Sequence, residues 1–219
     1  MKNDDHKGPI GPQKPRLKPP GENLRRPVCE SSLVVAVLVA AMSLVAGAAG
    51  RPLRLADLDN RLVNPFDAPE GVKAIVFVFT SIDCPVSNRY APEIRRISDT
   101  FAATGVRFWM VYPNPAESAK AIRTHVTDFA YPGGVLRDPQ QDLVKLAKAT
   151  VTPEAAVFDR DERLLYHGRI DDRFVSLGLE RPAPTTHDLE DAISAILGGR
   201  RVSPASAQAV GCFLADFVR

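Results

Sequence analysis

Cysteine and aromatic residues are scarce in this chain. Its 219 residues include 3 Cys and 1 Trp, and aromatics make up 7%. Three thiols are too few for a disulfide-framework mini-protein or a thiolate metal cage. Neither sign of charge is in excess. The 28 Lys+Arg stand against 26 Asp+Glu, for a formal net charge of +2. That balance argues against a protein built to coat nucleic acid, and the basic residues are scattered rather than gathered in a stripe. A Gly-rich phosphate loop is missing, since Gly133-Gly134 and Gly198-Gly199 read as turn and stop signals. No two His stand four residues apart and no Cys/His pair has zinc spacing, so neither a metal nor a cofactor is expected. What remains is a globular composition, 45% hydrophobic and 25% charged. Its length suits one domain with a tail and a real core.

The N-terminus is of a different character. Residues 1–31 are basic and Pro-rich, and their apolar residues stand isolated among charges, so this lead is read as disordered. From Leu33 to Ala49 the chain is uncharged and apolar, with Arg25-Arg26 before it and an A-x-A-like exit at Ala46-Gly47-Ala48. Basic, apolar, small-residue is the order of a secretory signal. The run is also at the short edge of what spans a bilayer, so residues 32–50 are a signal peptide or an N-terminal anchor. Either way the body, 51–199 with a C-terminal tail over 200–219, is expected in the periplasm or outside the cell. Disulfides persist there. Cys29 precedes the apolar run and is expected to be lost with it. Any contact with a membrane would come through that segment alone.

Along the body, Lys73–Thr80 is a continuous apolar, β-branched and aromatic run that suits a buried central strand. Pro85–Phe101 reads as a helix with Ala91, Ile94, Ile97 and Phe101 on one face. Val106–Tyr112 is a second strand, and Ala116–Phe129 a second amphipathic helix. Val135-Leu136 is a short strand and Asp142–Ala149 a short helix. Glu154–Asp159 and Leu164–Ile170 form a hairpin. His187–Leu197 is the last helix, with Thr186 as its expected N-cap and Gly198-Gly199 as its stop. Alternation followed by a hairpin predicts an α/β fold: a central mixed sheet with helices on both faces.

Chemistry concentrates at Cys84, in SIDCPVSNRYAPEI. A thiol between a strand and a helix faces free N–H groups and the positive end of the helix dipole, which stabilise thiolate. Pro85 is well tolerated in the first turn. The spacing Cys84-Pro85-Val86-Ser87 is C-x-x-S, which resembles the C-x-x-C that opens the same helix in the thioredoxin superfamily. Pro92 matches that family's helix proline, and Thr152-Pro153 resembles its Thr/Val-cis-Pro. The resemblance runs from about Pro52 to Leu197. Within the superfamily, the long segment between Cys84 and Pro153 and the strings DCPVSNRYAPE, VTPEAAVFD and GRIDDRF are similar to the redoxin branch. The strings look like those of the exported bacterial subset of that peroxiredoxin-like branch, often labelled alkyl-hydroperoxide-reductase/thiol-specific-antioxidant.

The resemblance implies a thioredoxin-like fold, Cys84 as nucleophile, a cis Thr152-Pro153 bond facing it, and Thr152 and Pro153 as substrate-side residues. The departures are informative. Ser87 stands where the second thiol would be, which leaves it a hydrogen-bond donor to the thiolate or an ordinary first-turn Ser. Ser81 matches the peroxiredoxin Thr/Ser three residues before the Cys, but Phe77 replaces the Pro seven before. No Arg stands at the Thr152-Pro153 junction, so Arg89 and Arg169 are the candidate substitutes for a peroxide-polarising Arg. Val78 lies where thioredoxins keep a buried Asp. Asn88 stands where Sco-type copper chaperones need a second Cys, which removes that copper site.

Cys84 and Cys212 are the two thiols left after the signal. Cys212 is either a resolving partner for Cys84 or a tail thiol of ordinary acidity that pairs elsewhere or not at all. His125 is expected at the surface or rim, His167 facing solvent, and His187 at a helix start. The leading enzyme reading is reduction of a hydroperoxide through a Cys84 sulfenic acid; the alternative is exchange with a disulfide, each using an external thiol reductant. A third reading is a non-enzymatic redox sensor or binding module of the same fold.

Overall fold

The strand Ala74–Phe79 is buried at every position, so both of its faces must be covered, and the architecture follows from that. The computed structural model describes residues 52–215. The lead, the apolar run with its signal-or-anchor reading, Cys29 and the last four residues lie outside the described residues. Among those described, no helix is long and apolar enough to cross a membrane.

In chain order the elements are β1 (Leu55–Ala56), β2 (Leu62–Val63), β3 (Ala74–Phe79), α1 (Pro85–Phe101), β4 (Val106–Tyr112), α2 (Ala119–Asp128), β5 (Gly134–Arg137), α3 (Asp142–Ala147), β6 (Val151–Thr152), β7 (Glu154–Phe158), β8 (Leu164–Gly168), β9 (Phe174–Ser176), β10 (Leu179–Glu180), α4 (Asp188–Leu197), β11 (Ser206–Ala207) and β12 (Cys212–Phe213). Eight strands form one sheet in the order β11-β8-β7-β3-β4-β5-β1-β2. β3, β4 and β5 run parallel, while β7 lies antiparallel to β3, so the sheet is mixed.

Side chains alternate between two cores. Val76, Val78, Met110, Tyr112, Ala155 and Val157 pack with α1, α2 and α4 on one face. Ile75, Phe77, Phe79, Trp109, Val111, Leu136 and Phe158 pack with α3 on the other. Phe66, Phe77 and Phe158 meet edge-to-face there. The helices on both faces and the mixed sheet are those expected from the sequence.

The differences have local causes. The second helix starts at Ala119, not Ala116. Ser118 caps it by accepting from the Ala121 N–H, while Asn114 takes the Ala116 N–H into a turn. Thr186 is not the cap of α4; His187 occupies that position. The Thr186 amide instead donates to Asp172, and its hydroxyl donates to Asp188. Most of all, residues 200–215 return to the body. β11 adds in parallel to the edge strand β8, and β12 pairs antiparallel with β6. Two-residue strands carry no periodicity, which is why neither was legible.

Gly168 fixes the first of these returns. Its φ is +142°, and a Cβ there would fall 1.9 Å from the Ala207 carbonyl oxygen. Gly168→Ala is expected to cost about 1–3 kcal/mol of stability, through backbone strain and a lost strand pairing. Urea unfolding measures the loss, and faster proteolysis after residue 200 locates it.

Candidate functional site

The register of the central strands assembles the site. Phe79 lies opposite Glu154 in the β3–β7 pairing, so the residues just before β7 sit beside those just after β3. Thr152 and Cys84, 68 residues apart in sequence, meet in this way, and the Cys84 thiol donates to the Thr152 carbonyl at 2.9 Å. The Thr152-Pro153 bond is cis, as the resemblance implied.

Cys84 is the N-cap of α1. Its backbone is extended, Pro85 follows in the first turn, and its sulfur accepts from the Ser87 N–H at 3.5 Å. A sulfur there meets unpaired N–H groups and the positive end of a helix of 17 residues. Pro92 lies inside the same helix.

The tail supplies the second thiol. Cys212 lies opposite Thr152 in the β6–β12 pairing and packs against the cluster that holds Cys84, near enough for each thiol to shift the ionisation of the other. Burial alone would raise the Cys84 pKa. Donation from Cys212, Ser87, Thr152 and the Ser87 N–H outweighs burial, and the net effect lowers it. Thr152 acts in both directions, because its carbonyl accepts from the thiol while its hydroxyl favours the thiolate. The Ser87 hydroxyl is fully buried and has no partner at normal geometry. It faces the sulfur closely enough to favour the charged form, and ionisation of Cys84 gives it an acceptor. Cys212 is shifted the other way, to about 12, by burial, by its bond to Cys84 and by the Cys84 charge. The sequence expectation of an ordinary tail thiol is corrected by this placement. A thiol that donates to a neighbouring thiolate is the last of the pair to ionise.

The other candidates divide. Ser81 lies in the turn before Cys84, but its hydroxyl donates to Glu117 at 2.7 Å. Arg89 is bound to Glu180, and Arg169 to Asp188 and Thr186. No cation is among the largest influences on Cys84 in the described residues.

Sequence reasoning missed Glu117. It is buried, accepts also from the Ile82 N–H at 2.8 Å, and so fixes the Ser81-Ile82 turn. Burial pushes its carboxyl up, against the opposing donors Ser81 and Ile82. Nothing in its local sequence separates it from a surface carboxylate.

His125 is also corrected from rim to interior, at 4% exposed. Its Nδ1 accepts from the Tyr112 hydroxyl at 2.9 Å, and its Nε2 donates to Asn88 Oδ1 at 2.7 Å. Asn88 in turn donates to the Ile82 carbonyl. Burial lowers the His125 pKa, which favours the neutral ring. Tyr131 bridges Thr80 and the Ser87 carbonyl in the same layer. His167 is half-buried rather than solvent-facing, with its Nδ1 3.4 Å from Glu154. His187 stands at the start of α4 as expected. Its ring, Glu93 and Glu190 bring three ligand-type atoms within 4.8 Å of one another, but Arg96 already bonds both carboxylates.

A nucleophile-type cysteine at a strand-to-helix corner, faced by a cis-proline across a mixed sheet, defines a protein of thioredoxin-like fold. The sequence matches the AhpC/TSA family over residues 47–167, more than half of the chain, and the chain belongs to that family. No curated protein matches it. Two solved structures are similar. An uncharacterized conserved protein from Geobacillus kaustophilus is 26% identical, with 74% of this chain and 87% of that one covered and a TM-score of 0.64. A hypothetical protein from Sinorhizobium meliloti is 24% identical, with 76% and 91% covered and a TM-score of 0.62. Family and fold together support thiol-dependent redox chemistry.

The electrostatics give a direct test. In the reduced wild type, alkylation rate against pH, read at each thiol by mass spectrometry, is expected to place Cys84 below the free-thiol value of about 8.5 and Cys212 above it. The reverse order would mean that the nucleophile is misassigned.

Proposed function

We propose that this chain is an exported thiol-dependent oxidoreductase in which Cys84 attacks and Cys212 completes the reaction. The observation that carries this reading is the pair of thiols gathered at Thr152, Cys84 by its bond to the carbonyl and Cys212 by strand pairing, with one biased toward thiolate and the other toward thiol.

In the exchange reaction, the Cys84 thiolate attacks one sulfur of an external disulfide. The other sulfur leaves as a thiolate and takes up a proton. Cys212 then loses its proton and attacks the Cys84 sulfur of the mixed disulfide, expelling the second half of the substrate as a thiol. The substrate disulfide gains two electrons and the protein becomes the Cys84–Cys212 disulfide. An external thiol reductant restores the pair by the same exchange.

Disulfide exchange is favoured because it needs no cation. Cleaving an O–O bond is assisted by a positive group at the peroxide, and Arg89 and Arg169 are both held by carboxylates. Ser81, the residue most suggestive of a peroxidase, is likewise held by Glu117.

Membership of the AhpC/TSA family keeps hydroperoxide reduction as a second reading. There the thiolate takes one peroxide oxygen to become sulfenic acid and releases an alcohol. Cys212 condenses with the sulfenic acid and releases water, leaving the same disulfide.

Stopped-flow mixing of reduced protein with a disulfide and, separately, with hydrogen peroxide separates the two readings, with Cys84 followed by mass spectrometry. Cys84→Ser is expected to lower consumption of the active oxidant by more than about a hundredfold. Cys212→Ser is expected to leave the first oxidation step intact and trap the mixed disulfide or sulfenic acid. Consumption of neither oxidant by the wild type would favour the binding-module reading.

Export rests on the order of charge and hydropathy before residue 51. The mature chain is expected to begin near Gly50 or Arg51, which N-terminal sequencing of protein from the native host checks. Recovery of the intact apolar run in the membrane fraction would show an anchor instead.

A further inference from the structure

Cys84 is 1% exposed, yet on the reading above it is the thiol that must meet an external substrate. The chain's own tail packs beside it. Cys212 and Phe213 lie opposite Thr152 and Val151. The Leu214 N–H donates to the Thr150 carbonyl at 3.0 Å, and the Gln141 side chain donates to the Ala215 carbonyl at 2.7 Å. Gly211 lets this strand approach so closely, because a Cβ there would stand 2.1 Å from the Thr152 carbonyl oxygen.

The attachment is small. β12 has two residues, the Phe213 side chain is 85% exposed, and Cys212 and Leu214 are only partly buried. Gln208, Ala209 and Val210, between β11 and β12, make no strand pairing. A strand fixed by a few backbone bonds and two half-buried side chains belongs to the low-stability end of a fold, where local opening is frequent.

We propose that Gly211–Ala215 is a strand gate that decides what reaches Cys84. The strand must leave the Val151–Thr152 edge before an external sulfur can take the position of the Cys212 sulfur, and a Cys84–Cys212 disulfide locks it closed. The gate therefore works in the reduced protein and is shut by the product of its own turnover. This inference rests on the reading of Cys84 as the attacking thiol.

The test compares chains that all lack Cys212, so that they differ in the strand alone: Cys212→Ser, Cys212→Ser with Gly211→Ala, and a chain ended after Gln208. The measurement is the iodoacetamide rate at Cys84, taken over a pH series and expressed per thiolate. The Gly211→Ala variant and the shortened chain are expected to react at least about tenfold faster than Cys212→Ser, because the strand is the barrier. Equal rates in all three would overturn the gate.

Should the shortened chain not fold, amide exchange in the reduced wild type decides. The Leu214 N–H is expected to exchange far faster than the Phe77 N–H of β3, and equally slow exchange would overturn the gate. Failure of the functional reading is seen separately, as the absence of a Cys84–Cys212 disulfide after oxidation of the wild type. The alkylation ratio does not depend on that result.

Discussion

Thr152 is held from two sides, and the site depends on it. Its carbonyl takes the Cys84 thiol, and its backbone pairs with that of Cys212. It is brought there by the antiparallel pairing of β7 against the buried strand β3. That pairing is rigid because β3 is covered on both faces, and a one-residue slip would turn its side chains to the wrong cores. The placing of both thiols at Thr152 is thus inherited from the register of the buried central strand.

The two thiols differ in acidity because they share one environment and cannot both carry charge in it. Cys84 has the helix N-terminus, the Ser87 amide and hydroxyl, and the Cys212 thiol as donors, and these outweigh its burial. Cys212 has burial and a negative neighbour. Ionisation of Cys84 creates the acceptor that Ser87 and Cys212 lack when both thiols are protonated. A carboxylate beneath the turn, Glu117, and a neutral imidazole, His125, hold the backbone around Cys84 without supplying a positive charge to the sulfur. Such a site fits thiol-dependent redox chemistry.

Much of this was legible before any coordinates. β3 is apolar at every position, which marks a strand covered on both faces. The face Ala91, Ile94, Ile97 and Phe101 has helical spacing and is buried as expected. Cys84 stood out as a thiol at a strand-to-helix corner, and Pro153 through the resemblance of Thr152-Pro153 to the thioredoxin superfamily's cis-Pro. Glu117, Asn88 and His125 did not stand out. Each is a polar residue on a loop or an amphipathic helix, and its inward orientation is set by partners 13 to 37 residues away.

The sequence alone determined the α/β alternation, the mixed sheet and the cysteine at the corner, because periodicity and local backbone preference are properties of neighbouring residues; the proline near that cysteine was legible only through the family resemblance. The tertiary structure decided where the tail goes. Only the meeting of Gly168 with Ala207, and of Thr152 with Gly211 and Cys212, turns a Ser- and Ala-rich tail into two short strands. Those contacts join backbones far apart in the chain, and two-residue strands leave no pattern of their own. The acidity of Cys212 and its packing beside Cys84 follow from that long-range docking, for the field on a thiol is fixed by what is folded against it.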